Sequence, residues 1–117
     1  MYTISKAAKA LGISTHTLRY YEKEEIIEPE RKSNGDRIYN DLHLKWLQFV
    51  LKLKETQMPV AKIKEYAQLY KLGDHTNMAR LQLLEEHRKS IQEQLAVLSV
   101  TDQMLEEKID AYRKSLY

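Results

Sequence analysis

The chain has no cysteine, and only three glycines and two prolines among its 117 residues. Without a thiol there can be no disulfide framework, no thiolate metal site and no thiol nucleophile. So few backbone punctuators leave little room for long loops. With 43% hydrophobic and 31% charged residues, the composition is that of a folded, helix-rich protein, not a disordered one. No stretch approaches the roughly 20 apolar residues that a bilayer span needs, and residues 1–10 lack the unbroken apolar run of a signal peptide. Cytoplasmic residence, with no membrane partner, is the expectation. The length suits one compact head plus an appendage, which disfavours a large catalytic cleft. Paired carboxylates, a glycine-rich phosphate loop and a nucleophile motif are all missing, so an enzyme is not expected.

Net charge is small as well, at +2. Its distribution says more than its size. Residues 1–70 hold twelve lysines and arginines against nine acidic residues, whereas residues 71–117 hold seven against eight. The N-terminal part is therefore the basic part, and pairing two copies would double a charge that attracts phosphates.

The apolar pattern then gives an order of elements. Ile4, Ala7, Ala8 and Leu11 share one face of a short helix that Gly12 ends. Ser14 can cap a second helix, Thr15 to Lys23, whose anchor would be Leu18. A small residue at the crossing (Ala8), a turn glycine (Gly12) and an apolar anchor (Leu18) fit a DNA-binding helix-turn-helix, although an ordinary helical hairpin would show the same three features. Pro29 breaks helical continuation, and Asn34-Gly35 within Arg31 to Tyr39 marks a β-hairpin wing. Asn40-Asp41 can cap a third helix, about Leu42 to Glu55, with Leu44, Leu47, Val50 and Leu51 on one side and Trp46 and Phe49 widening that face. Pro59 suits the first turn of a fourth helix, in which Ile63, Tyr66, Ala67 and Tyr70 repeat at helical spacing before Gly73. The aromatic residues at this spacing are expected to be core, with a small ligand pocket against Trp46, Phe49, Tyr66 and Tyr70 as the alternative.

From about Thr76 onward there is no glycine or proline, and one register alternates steps of 3 and 4: Leu81, Leu84, Arg88, Ile91, Leu95, Leu98, Asp102, Leu105, Ile109, Tyr112 and Leu116. That is a heptad seam. A helix of this length would extend about 60 Å, too far to pack wholly on its own head, so a partner helix from a second copy is expected. Arg88 and Asp102 are the only charged residues in the seam and lie symmetrically about Leu95. In an antiparallel pair centred there, Arg88 of one copy would meet Asp102 of the other and hold the register by charge. The expected domains are thus a winged helix-turn-helix head, 1–72, and a coiled-coil dimerisation helix, 76–117. The fold class is mainly α.

The string Thr17-Leu18-Arg19-Tyr20-Tyr21-Glu22, followed by Ile26, Pro29, Arg31, Arg37 and Tyr39, resembles the MerR family of transcriptional regulators over residues 3 to about 70. The resemblance implies an antiparallel dimer coil, binding of a near-palindromic promoter site in double-stranded DNA, distortion of the spacer, and action beside RNA polymerase. Ser14, Thr15, His16, Thr17 and Arg19 lie at the start of the second helix, the end that a helix-turn-helix presents to base edges. Arg19 can contact two acceptors of guanine or neutralise a phosphate, and either use suits its guanidinium. Family likeness implies that one or both of Tyr20 and Tyr21 reach the DNA backbone; Tyr21, three positions after Leu18, falls on the core side, which makes Tyr20 the better phosphate contact. Arg37 and Tyr39 alternate with Ile38, so both should project from one face of the wing toward a phosphate or minor groove, the alternative being a solvated wing with Tyr39 packed on the third helix. Lys54 and Lys62 match positions suited to phosphate contacts. The sequence departs from the family at Glu25 and Gln57, where glycines are usual, which puts local turn geometry in question.

Metal-sensing and thiol-sensing relatives rely on cysteine, so neither mechanism carries over. His16, His43, His75 and His87 form no ligand cluster in sequence, and neither a metal nor a cofactor is expected. No appended ligand-binding domain is expected either, and the inducing signal is left open. The competing class is a DNA-architectural or coiled-coil interaction protein without a sensing role.

Overall fold

The structure is a computed structural model that describes residues 1–116. The expected dimerisation segment therefore has one residue, Tyr117, outside the described part. Five helices and one two-stranded hairpin follow in the order α1 (Ile4–Leu11), α2 (Thr15–Lys23), β1 (Glu30–Arg31), β2 (Arg37–Ile38), α3 (Asp41–Glu55), α4 (Val60–Leu72) and α5 (Asn77–Leu116), with a short 3-10 turn, Asp74–Thr76, between α4 and α5. Two compact units divide the chain within α5, one at Met1–Leu83 and one at Leu84–Tyr117.

Capping explains why the short helices begin where they do. The Thr3 and Ser14 hydroxyls accept from the amides of Lys6 and Thr17, satisfying donors that the first turn of a helix leaves without partners. Asn40 and His43 exchange hydrogen bonds in a reciprocal box at the start of α3, which begins one residue earlier than the apolar pattern indicates.

Three helices then end with the same turn. At Gly12, Glu25 and Gln57 the backbone turns left-handed, with φ of 71°, 60° and 74°. In each case the next amide reaches back five residues, Ile13 to the Ala8 carbonyl, Ile26 to Tyr21 and Met58 to Leu53, at 3.0, 2.9 and 2.9 Å. The doubt raised by the two missing glycines is resolved here. The turns persist with side chains present because the following residues, Ile26 and Met58, are buried and hold them closed.

The core of the first unit gathers Ala7, Ala8, Leu18, Tyr21, Ile26, Ile27, Tyr39, Leu44, Leu47, Val50, Leu53, Met58 and Ile63. Ala8 and Leu18 are both buried, so α1 and α2 cross on a small residue and an anchor. The hairpin pairs Glu30 with Ile38 and Arg31 with Arg37. Gly35 takes the third position of a three-residue loop closed by Lys32 and Asp36, instead of the second position of a two-residue turn. Tyr2 adds a further antiparallel bridge to Tyr39, which no sequence pattern announced.

One expectation is corrected. Trp46, Phe49, Tyr66 and Tyr70 are not core. Phe49 and Tyr70 are exposed and the other two half-buried, and the Trp46 ring stacks on Tyr66 and Tyr70 at centroid distances of 5.8 and 6.3 Å. They line an open groove of about 490 Å³. Helical spacing alone could not tell a core from a stacked surface cluster, because it does not say what covers a ring: Trp46 only edges the core, and the Arg80 guanidinium lies over Tyr70 at 5.3 Å from its centroid.

At the α4–α5 junction Gly73 adopts φ 107° and ψ −172°, a conformation open essentially to glycine alone. The buried Thr76 hydroxyl lies 2.7 Å from the carbonyl oxygens of both Leu69 and Gly73 and accepts from Arg80 at 3.1 Å. These bonds tie the start of α5 to the end of α4.

Candidate nucleic-acid interface

The N-terminal end of α2 is built by its cap. Ser14 accepts from the Thr17 amide at 3.0 Å and its hydroxyl lies 2.9 Å from that of Thr17, which orients both side chains at the helix N-terminus. His16 and Arg19 are exposed beside them, and Thr15 and Thr17 are half-buried. The Arg19 guanidinium reaches to 3.5 Å from the Thr15 hydroxyl. Leu18, one position before Arg19, is fully buried, so core packing decides which way the polar face of α2 turns. The positive end of the helix dipole adds to the attraction for a phosphate.

Tyr20 and Tyr21 divide as adjacent helical positions must. Tyr20 is 41% exposed and Tyr21 only 3%. Burial also pushes the Tyr21 hydroxyl above the ordinary tyrosine value, with Tyr20 adding to the effect. The assignment of Tyr21 to the DNA backbone is therefore corrected: its ring belongs to the core.

A second correction concerns the wing. Arg37 and Tyr39 do share a face of the hairpin, but that face meets the protein itself. Tyr39 is fully buried beside His43, with ring centroids 6.0 Å apart, and its hydroxyl has no hydrogen-bond partner. Burial raises its pKa first and the nearby Glu22 carboxylate second, against the opposing pull of Arg37, Arg31 and Arg19. Alternation placed the side chain correctly, and the tertiary fold chose the partner. Arg37 meanwhile pairs with Glu22 at the end of α2, and so does Arg31.

Lys54, near the end of α3, and Lys62, on α4, are exposed on either side of the Gln57 turn. Lys62 lies 3.6 Å from Glu65, a surface pair worth little in water. Helix α2 and the wing are thus joined by ion pairs, whereas no bond or ion pair links Lys54 or Lys62 to either.

The expected dimerisation residues fall into two groups. Leu84 and Ile91 are half-buried, whereas Leu81, Arg88, Leu95, Leu98, Asp102, Leu105, Ile109, Tyr112 and Leu116 are exposed. The buried leucine of α5 is Leu83, which lies outside the expected register. Val97, Val100 and Met104 are exposed apolar residues that the register also omits. Among the described residues no group of three or more His, Asp or Glu side chains could hold a metal ion, and no helix is long and apolar enough to cross a membrane.

Glu22, which pairs with both Arg31 and Arg37, is the residue at this surface that the pattern of candidate contacts missed. One signal was available: it is the last residue of the recognised string, and two of the string's downstream arginines needed an acidic partner.

The family model described as "MerR HTH family regulatory protein" matches residues 2–69, and a second, described as "MerR, DNA binding", matches residues 44–108. The chain belongs to the MerR family of helix-turn-helix transcriptional regulators. It is 38% identical to an HTH-type transcriptional regulator of Haemophilus influenzae, over 97% of this chain and 85% of that protein. Among solved structures it resembles HiNmlR, a MerR family regulator lacking the sensor domain, bound to promoter DNA. The TM-score is 0.88 at 38% identity, covering 97% of this chain and 90% of that one. A putative MerR family transcriptional regulator from Listeria monocytogenes gives a TM-score of 0.91 at 28% identity, covering 96% of this chain and 86% of that one.

Proposed function

We propose that the chain acts as a homodimer that binds a near-palindromic promoter site in double-stranded DNA, distorts the spacer between half-sites and controls transcription together with RNA polymerase, in the cytoplasm beside the nucleoid. The observation that carries this reading is the likeness to HiNmlR, described as bound to promoter DNA, over 97% of the chain. In the proposed complex Ser14, Thr15, His16, Thr17 and Arg19 enter the major groove, and Tyr20, Arg37, Lys54 and Lys62 take phosphates. Residues 1–72 serve as the reading head and residues 76–117 as the pairing helix.

The bare seam supports the dimer. Leu95, Leu98 and Leu105 are 59%, 64% and 56% exposed, more apolar surface than an isolated helix keeps in water without a partner. Arg88 and Asp102, both exposed, are the proposed register pair. Arg88→Asp should weaken dimerisation in sedimentation equilibrium, and adding Asp102→Arg should restore it; failure of the restoration would remove the antiparallel register. Twofold protein symmetry demands twofold operator symmetry, so footprinting should show two protected half-sites on one face of the duplex. Protection of a single half-site by a monomer overturns the reading.

A further inference from the structure

We propose that Glu22 is a positioning residue that sets DNA specificity, because it holds the wing arginines Arg31 and Arg37 away from indiscriminate phosphate contact until α2 is seated on its bases. The inference rests on the DNA-binding reading above and deepens it.

The two carboxylate oxygens of Glu22 are occupied separately. Oε1 accepts from Arg31 Nη2, and Oε2 accepts from Arg37 Nε. The Glu22 side chain is 18% exposed, against 45% for Arg31 and 29% for Arg37, so the carboxylate lies beneath the two cations. Arg31 and Arg37 are directly opposite each other on β1 and β2. Two like charges in that relation repel, and a hairpin of two-residue strands has little else to oppose the repulsion. Glu22 supplies the opposing charge from the same helix that carries Thr15, Thr17 and Arg19.

The pairing is unequal. Arg31 also donates Nη1 to the Gly35 carbonyl at 3.0 Å, which fastens it to the wing's own turn. Arg37 is held by one bond, at Nε, where Arg31 has two. If Arg37 leaves for a phosphate, Glu22 keeps Arg31 and is not left as an unpaired carboxylate. Departure of both would leave a largely buried carboxylate without a cation. One arginine can therefore be released at low cost, and only a duplex that already fits α2 holds a phosphate where Arg37 can take it. On a poorly fitting duplex both arginines stay with Glu22, and the wing adds little affinity.

The test uses the full-length protein, a duplex selected from a randomised library by the wild type, and a scrambled duplex of equal length. Glu22→Gln should bind the scrambled duplex about fivefold more tightly, with a salt dependence steeper by about one phosphate contact, and should bind the selected duplex no better. The preference for the selected site then falls. Equal weakening on both duplexes, as a merely structural role would give, overturns the proposal, and so does an unchanged ratio. Arg37→Gln keeps the Glu22–Arg31 pair and so tests the same claim should Glu22→Gln fail to fold. It should lose about tenfold on the selected duplex and less than about twofold on the scrambled one. Equal losses on both overturn the latch. If the wild type enriches no sequence from the library, the DNA-reading proposal falls and takes this one with it; an enriched site with an unchanged ratio removes the latch alone.

Discussion

Residues 1–83 bury leucines that residues 84–116 leave in water. In the first unit Leu18 and Leu47 are fully buried, as is Ile63. In the second, Leu95, Leu98 and Leu105 keep more than half their surface exposed, with Ile109 close behind at 48%. Burying one such side chain contributes about 1.5–3 kcal/mol, so the first unit holds its own stabilisation whereas the second carries an unused reserve of similar kind. Hydrogen bonds such as Gln94 to Ser90 and Thr101 to the Val97 carbonyl run within α5 itself. A lone helix in water is marginal even with good helix formers. The difference teaches that the first unit is specified by contacts within the chain, whereas the proposed pairing helix would be specified only against a partner.

The sharpest way to break this comparison is Leu18→Ala, which should cost about 3 kcal/mol by emptying part of the α1–α2 contact. The loss should appear as a lower melting temperature at every protein concentration. Leu95→Asp should leave the head's intrinsic folding alone and instead weaken dimerisation by about a hundredfold, because it desolvates a charge at the centre of the proposed seam. Its signature in sedimentation and in thermal scans is concentration dependence. A concentration-independent loss would mean that the two units are not energetically separate.

Smaller effects sharpen the head side. Tyr39→Phe removes a buried hydroxyl without a partner and should raise stability by about 1 kcal/mol at neutral pH. It should also flatten the alkaline response. The Tyr39 pKa in the folded head lies above the ordinary value of 10.0, so the folded form binds the proton more tightly than the unfolded one. That contribution is present below pH 10 and is lost as pH rises through the folded value. Wild type should therefore fall more steeply than Tyr39→Phe in alkaline chemical denaturation. The smallest change expected is from Glu25→Gly. It relieves a left-handed residue at φ 60° and gives back part of the gain to the freer unfolded chain, for a net stabilisation of about 0.5 kcal/mol. A destabilisation would show that the Glu25 side chain makes a contact worth more than its strain.

Much of the head was legible because its signals are local. Gly12, Ser14 and Asn40 act on the backbone within a few residues of themselves, so a pattern of caps and stops located α1 to α4 to within about a residue. The wing's existence was equally plain from Asn34-Gly35. Its loop class was not, since whether the glycine sits second or third depends on how Arg31 and Arg37 align across the strands. At the candidate site, Thr15, His16, Thr17, Arg19 and Tyr20 are proposed from helix geometry, and all but the half-buried threonines are exposed. Tyr21 and Tyr39 were misassigned as contacts, because an aromatic residue with a polar tip suits a phosphate and a core equally well in sequence. The fate of Tyr39 turned on a core gathered from residues far apart in the chain, Ala7 to Ile63, and on its bridge to Tyr2.

The sequence by itself determined the helix ends, the basic head, the uninterrupted final helix and the exclusion of cysteine chemistry, since each depends on residue type and near neighbours. Only the tertiary structure decided which aromatics are buried, that Glu25 and Gln57 occupy glycine-like turns, and that Glu22 joins Arg31 and Arg37 to α2. Those outcomes arise from packing and from charges brought together across loops, where a pairing is fixed by three-dimensional closeness and not by spacing along the chain.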